Sequence, residues 1–177
     1  MRLPPASALL VLLCLGLAAP LGGCGFRPLM GSGSAVAASG QMGRVQISPI
    51  ANRVGQKLRN ELMQRINPRG TRVGSPWRLE VQMADSARDS GIQNNNTVTR
   101  KEIRLFATFA LIEVATGKVV LSDTARSNEA YNVSATEFGT VVSGRAANDT
   151  AVTVIADEIQ TRLAIYFDRR AQNTLIP

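Results

Sequence analysis

Few residues in this chain are able to do chemistry. Cys24 sits directly behind Leu21-Gly22-Gly23, and the only other cysteine, Cys14, lies in an apolar N-terminal run. A thiol placed after two small residues suits covalent attachment of a lipid, and no second cysteine is left for a disulfide. There is no histidine. That excludes histidine-based triads, His–Cys zinc sites and histidine general bases. The carboxylates are scattered. Asp157 and Glu158 are adjacent in a helical segment, where neighbours point apart. Asp85 and Asp89 flank Arg88, and the Asn94-Asn95-Asn96 run follows, but the twelve-residue loop and terminal Glu of a calcium site are missing. No Gly-x-Ser-x-Gly elbow and no phosphate-cradling glycine loop occurs. These patterns predict a protein that is not an enzyme and holds no metal or cofactor.

What remains is cationic. The formal charge is +7, and of twenty basic residues only Lys57, Lys101 and Lys118 are lysine. The planar guanidinium of arginine suits bidentate contact with phosphate and carboxylate. Arg100, Lys101 and Arg104 open a long strand, with Arg100 and Arg104 on one face by strand parity. Arg69 and Arg72 lie in a loop after the first helix. These five are the candidate anion contacts. Each also has a plainer reading, as a solvated side chain or a surface pair with Glu102, Asp85 or Asp89.

The N-terminus predicts where such contacts would work. Arg2 precedes an apolar run from Ala8 to Ala19, and Gly22 and Gly23 supply small residues at a cut site. That is the order of a secretory signal, removed as residues 1–23, and the run is too short and too soon broken to span a membrane. Leu21-Gly22-Gly23-Cys24 resembles a bacterial lipobox, with Cys24 the lipid attachment point. Several acyl chains on one residue anchor stably where a single chain does not. Gly25, standing where an Asp would favour inner-membrane retention, leans towards the outer membrane. The charge falls to +6 with the loss of Arg2. In the periplasm the partners of a basic domain are anionic headgroups or acidic surfaces, not nucleic acid.

Residues 24–43, rich in Gly, Ser and Ala, predict a flexible tether, and 44–170 a single domain. Arg44 to Ile50 reads as a strand ended by Pro49. Val54, Leu58, Leu62 and Ile66 form one helical stripe, with Asn52 a plausible cap. Trp77 to Asp85 alternates as a half-buried strand, followed by a polar loop from Ser86 to Asn96. Val98 to Val114 places Ile103, Leu105, Ala107, Phe109 and Leu111 on one face and Phe106, Ala110 and Ile112 on the other. A strand apolar on both sides is central or covered twice. Gly117 turns the chain into a hairpin partner from Val119 to Asn128. Ser134 and Glu137 fit a capping box. A helix carrying Val152, Ile155, Ile159 and Leu163 then runs to about Arg169, with Gly139 and Gly144 weakening its start, before a loose tail at 171–177. The fold class is α+β: two helices on one face of a four-stranded, mostly antiparallel sheet, in the order β-α-β-β-β-α.

Cys24-Gly25-Phe26-Arg27-Pro28-Leu29, then Ile47-Ser48-Pro49-Ile50 with Arg53 and Leu58-Arg59-Asn60, then Thr99-Arg100, Tyr131-Asn132 and Arg162-Leu163-Ala164-Ile165-Tyr166 follow one another in an order that resembles the alphaproteobacterial branch of the LptE family of lipopolysaccharide-assembly lipoproteins. Met30 departs from the Tyr of that pattern. The resemblance implies an outer-membrane lipoprotein on the periplasmic side. It would plug and help assemble the LptD β-barrel and contact lipopolysaccharide. The other reading is a lipid-anchored accessory subunit of a different envelope transport complex, with no lipopolysaccharide contact.

Overall fold

In a computed structural model of the 177-residue chain, residues 40–70, 74–92 and 98–174 are described. Cys24, the tether as far as Ser39, and Arg72 lie outside them. The order is β1 (Val45–Ile47), α1 (Asn52–Ile66), β2 (Trp77–Ile92), β3 (Val98–Glu113), β4 (Val119–Asn132) and α2 (Glu137–Thr174). The strands make one sheet, β1-β2-β3-β4. The sheet is mixed. β1 runs parallel to β2 over three residues, and β2, β3 and β4 form an antiparallel meander.

Both helices cover the same face. Val45, Ile47, Leu79, Val81, Leu105, Ala107, Phe109 and Leu111 are buried against Leu58, Leu62 and Ile66 of α1 and Val152, Ile155, Ile159 and Leu163 of α2. Each fully buried large apolar side chain contributes about 1.5–3 kcal/mol relative to exposure. The alternating residues of β2 and the one-face residues of β3 all point into this core, so strand period and burial agree. β3 is the central strand of the meander, with β2 on one side and β4 on the other.

Local signals fix the helix ends. Asn52 adopts φ +61°, a left-handed conformation that asparagine tolerates, and its Oδ1 accepts from the Gly55 amide at 2.9 Å. Gly55 lies against Ile50, whose Cγ2 would be 2.6 Å from an added Cβ, so α1 approaches the chain that enters it at glycine distance. At the other end buried Asn67 donates through Nδ2 to the Val45 carbonyl at 2.5 Å, tying α1 back to β1.

Several boundaries differ from the sequence reading. The expected tether reaches less far: Gly40–Met42 is helical, Met42 is buried, and Gln41 Oε1 accepts from Trp77 Nε1 at 3.4 Å. Ser86–Ile92, expected as loop, continues β2. It pairs with β3 by backbone hydrogen bonds while its side chains are polar, so no apolar alternation marked it. α2 is capped by Thr136, whose Oγ1 accepts from the Gly139 amide at 3.2 Å, and not by Ser134. It runs unbroken through Gly139 and Gly144. A Cβ at Gly144 would lie 3.2 Å from the Tyr131 ring, so the glycine admits close packing of α2 on β4. α2 also continues to Thr174, into the segment expected as tail. Just before that segment Tyr166 and Phe167 meet Trp77 edge-on at 6.4 and 5.7 Å, and the Arg170 guanidinium stacks over Trp77 at 4.7 Å.

Candidate functional site

Among the described residues one sheet face carries no helix, and it is the surface the fold leaves for function. Register brings its residues together in rows. Arg78 lies beside Ile112, Gln82 beside Thr108 and Thr124, Ala84 beside Phe106 and Arg126, Ser86 beside Arg104 and Asn128, and Arg88 beside Glu102 and Ala130. Arg100 follows, beside Asn132. The result is a polar face whose centre is half-exposed Phe106 and whose far end carries Arg88, Arg100, Arg104 and Arg126.

The acidic side chain in this group is Glu102. It accepts from Arg104 Nε at 2.8 Å. Its carboxyl is held below the ordinary carboxylate range, first by that hydrogen bond, then by one from the Asn128 side chain, with the nearby charge of Arg88 acting in the same sense. Glu102 therefore stays ionised and neutralises part of Arg104. Arg88, Arg100 and Arg126 have no carboxylate within ion-pair distance among the described residues. Ser90, Arg100, Glu102, Asn128, Glu129 and Ala130 line an open cleft of about 610 Å³. Arg100 is the guanidinium in that lining, beside the carboxylates of Glu102 and Glu129, and offers paired N–H donors to anionic oxygens. Among the described residues no cluster could hold a metal ion, and no helix is long and apolar enough to cross a membrane.

Of the five sequence candidates, the structure joins two. Arg100 and Arg104 share the open face as parity predicts. Lys101 is on the opposite face, beside Asp89, with Nζ 4.0 Å from a carboxylate oxygen. Arg69 is exposed just beyond α1, in the loop that feeds the start of β2. Arg104 sits opposite Ser86, nine residues along that strand from Trp77. At about 3.3 Å per residue this is roughly 30 Å, so Arg69 is not part of the same patch. Arg72 is outside the described residues. Arg88 and Arg126 were missed. Both have the parity of the open face, and counting on in twos from Arg78 through Gln82 and Ser86 would have reached Arg88.

Comparison with known proteins gives this geometry a family. A model of the LptE family, described as lipopolysaccharide-assembly, matches residues 42–163. The match starts at the buried Met42 and ends within the core part of α2. An uncharacterized protein of Rickettsia prowazekii is 24% identical over 126 residues, covering 71% of this chain and 78% of the relative. A crystal structure from Caulobacter crescentus superposes with a TM-score of 0.61 at 17% identity, over 76% of this chain and 98% of that one. The rare lipoprotein B of Shewanella oneidensis does so with 0.52 at 14% identity, over 68% and 92%. These two show the shared fold. With the family model covering well over half of its length, the chain belongs to the LptE family and has a role in lipopolysaccharide assembly.

Proposed function

We propose that the mature chain, anchored by lipid on Cys24 at the periplasmic side of the outer membrane, is the plug and assembly partner of an LptD-type β-barrel. Its basic sheet face meets the phosphates of lipopolysaccharide. The observation that carries this reading is the cross-strand gathering of Arg88, Arg100, Arg104 and Arg126 on a face that no helix covers among the described residues, in a chain of this family. Guanidinium forks fit phosphate oxygens, and Phe106 offers an apolar contact beside them. The work is binding and positioning, with no covalent step.

Two measurements test it. Detergent pull-down of the tagged full chain from its own outer membrane should recover one large β-barrel at near-equal stoichiometry. Recovery of inner-membrane transporter subunits, or of nothing, sinks the plug assignment. Separately, reversing Arg88, Arg100, Arg104 and Arg126 to Glu should weaken lipopolysaccharide binding by about tenfold or more and flatten its salt dependence. Unchanged binding retires the basic face as the contact.

A further inference from the structure

The sheet has two outer edges, and the protein treats them differently. On β4 the Val133 amide donates to the Thr99 carbonyl at 2.9 Å, so odd-numbered residues bond inward to β3 and even-numbered backbone groups point outward. Two of those outward amides are occupied. Thr124 N–H donates to Asp123 Oδ1 at 2.8 Å, and Arg126 N–H to Glu158 Oε2 at 3.0 Å. Arg162 of α2 pairs with both carboxylates and holds them in place. Side-chain acceptors thus block this stretch of the edge against a further strand.

β2 has no such guard. Val114 N–H donates to the Pro76 carbonyl and Ser48 N–H to the Leu79 carbonyl, both at 2.9 Å. Even-numbered β2 residues therefore bond to β3, and odd-numbered ones point outward. β1 meets this edge only as far as Leu79, because Pro49 ends it. Beyond that point the register to β3 is unbroken to Asp89, Ala84 to Ser90 are all exposed, and no side chain caps the outward amides of Met83, Asp85, Ala87 and Asp89 among the described residues. Four N–H and four C=O groups stand in a row as an unfilled strand template.

We infer that the outer edge of β2 from Met83 to Asp89 is a strand-addition site for an extended segment of another polypeptide, one that carries basic residues four apart on one face. Charge selects this occupant. Asp85 and Asp89 project from the same face of the edge. Asp85 has no ion pair among the described residues, and Asp89 has only the 4.0 Å contact with Lys101. A second copy meets like-charge repulsion in the registers that set the aspartates opposite one another. Antiparallel self-pairing centred on Ala87 sets Asp85 opposite Asp89 twice, and centring on Asp85 sets it opposite itself; like charges directly opposite destabilise a strand pair. A foreign strand with Lys or Arg opposite both aspartates completes the ladder and neutralises them. The site lies on the edge and not on the basic face, so it stands whether or not that face binds lipopolysaccharide.

The test uses the isotope-labelled full chain in detergent and a nine-residue peptide of alternating Thr and Val with Lys at two positions four apart. Its control has Glu at those two positions. Amide exchange by NMR should slow at Met83, Asp85, Ala87 and Asp89 on adding the Lys peptide, and the Glu peptide should bind about threefold to tenfold more weakly. D85K/D89K should invert that preference. Ala87→Pro removes an outward N–H without touching the β2–β3 ladder, so it should abolish protection while the cooperative melt is retained. The proposal is overturned if the four amides gain no protection, if protection survives in the Ala87→Pro variant, if D85K/D89K leaves the preference as it was, or if protection rises with protein concentration alone, the mark of self-pairing.

Discussion

At the scale of single residues, the arginines divide into those with a carboxylate beside them and those without. Arg162 serves Asp123 and Glu158, and its own pKa is raised, first by the hydrogen bond to Asp123. The Asp123 carboxyl is lowered in turn, first by the Thr124 amide and then by Arg162. A carboxyl whose folded pKa is depressed adds stability that is full above its unfolded value and is lost as pH falls through the folded one. For Asp123 and Glu102 the ordinary values are 3.8 and 4.5. Their share is therefore complete at neutral pH and disappears only below these values. Thermal melts of Asp123→Asn and Glu102→Gln should fall below the wild type at pH 7 and converge with it as pH falls below those ordinary values. Asn52 gives a second residue-level prediction. Asn52→Ala loses the acceptor for Gly55 N–H and leaves an alanine in a left-handed conformation, so denaturant unfolding should report a loss of about 1–2 kcal/mol. Asn52 was legible as a cap from its place before the stripe. Its positive φ was not, because nothing in the one-dimensional pattern distinguishes the two geometries.

At the scale of elements, legibility followed the apolar core. Trp77, Leu79 and Val81 alternate because they are buried on one face only, and Leu58, Leu62 and Ile66 recur at helical spacing for the same reason. Where an element leaves the core its pattern fades. Asp85 to Ser90 are exposed on both faces of β2, so Arg88 read as loop and its place beside Glu102 stayed hidden. Likewise nothing from Glu137 to Ala146 is buried, which is why the start of α2 looked irregular. Two substitutions test the close contacts between elements. Gly55→Ala should destabilise despite the better helix propensity of alanine, because its Cβ meets Ile50 at 2.6 Å. The clash, about 1–3 kcal/mol, exceeds the gain of about 1. Arg170→Ala removes the stack on Trp77 and the 3.5 Å contact with Glu113, which together join the end of α2 to the start of β2 and the end of β3. Calorimetry should show a loss of about 1 kcal/mol.

At the scale of the whole molecule, the chain enters the domain at Gln41 and Met42, beside Trp77, while Arg100 and the cleft lie at the opposite end of the strands. Asn132 is level with Arg100 and so with Gly91, fourteen residues along β2 from Trp77. Spin labels at Gln41 and Asn132 should therefore report a separation of roughly 45 Å. A much shorter distance would contradict the extended meander. The way the two helices meet has a temporal consequence. The ion pairs Lys57–Asp149 and Arg65–Asp157 each link residues 92 positions apart, whereas β2, β3 and β4 pair with sequence neighbours through one turn at a time. Loop closure makes distant contacts slow and near ones quick. The meander is therefore the early product of folding, and the seam between α1 and α2 closes last. A chain that appears N-terminus first holds the apolar stripe of α1 only partly covered until residues near 157 have followed. During that interval the exposed stripe is open to any other apolar surface it meets.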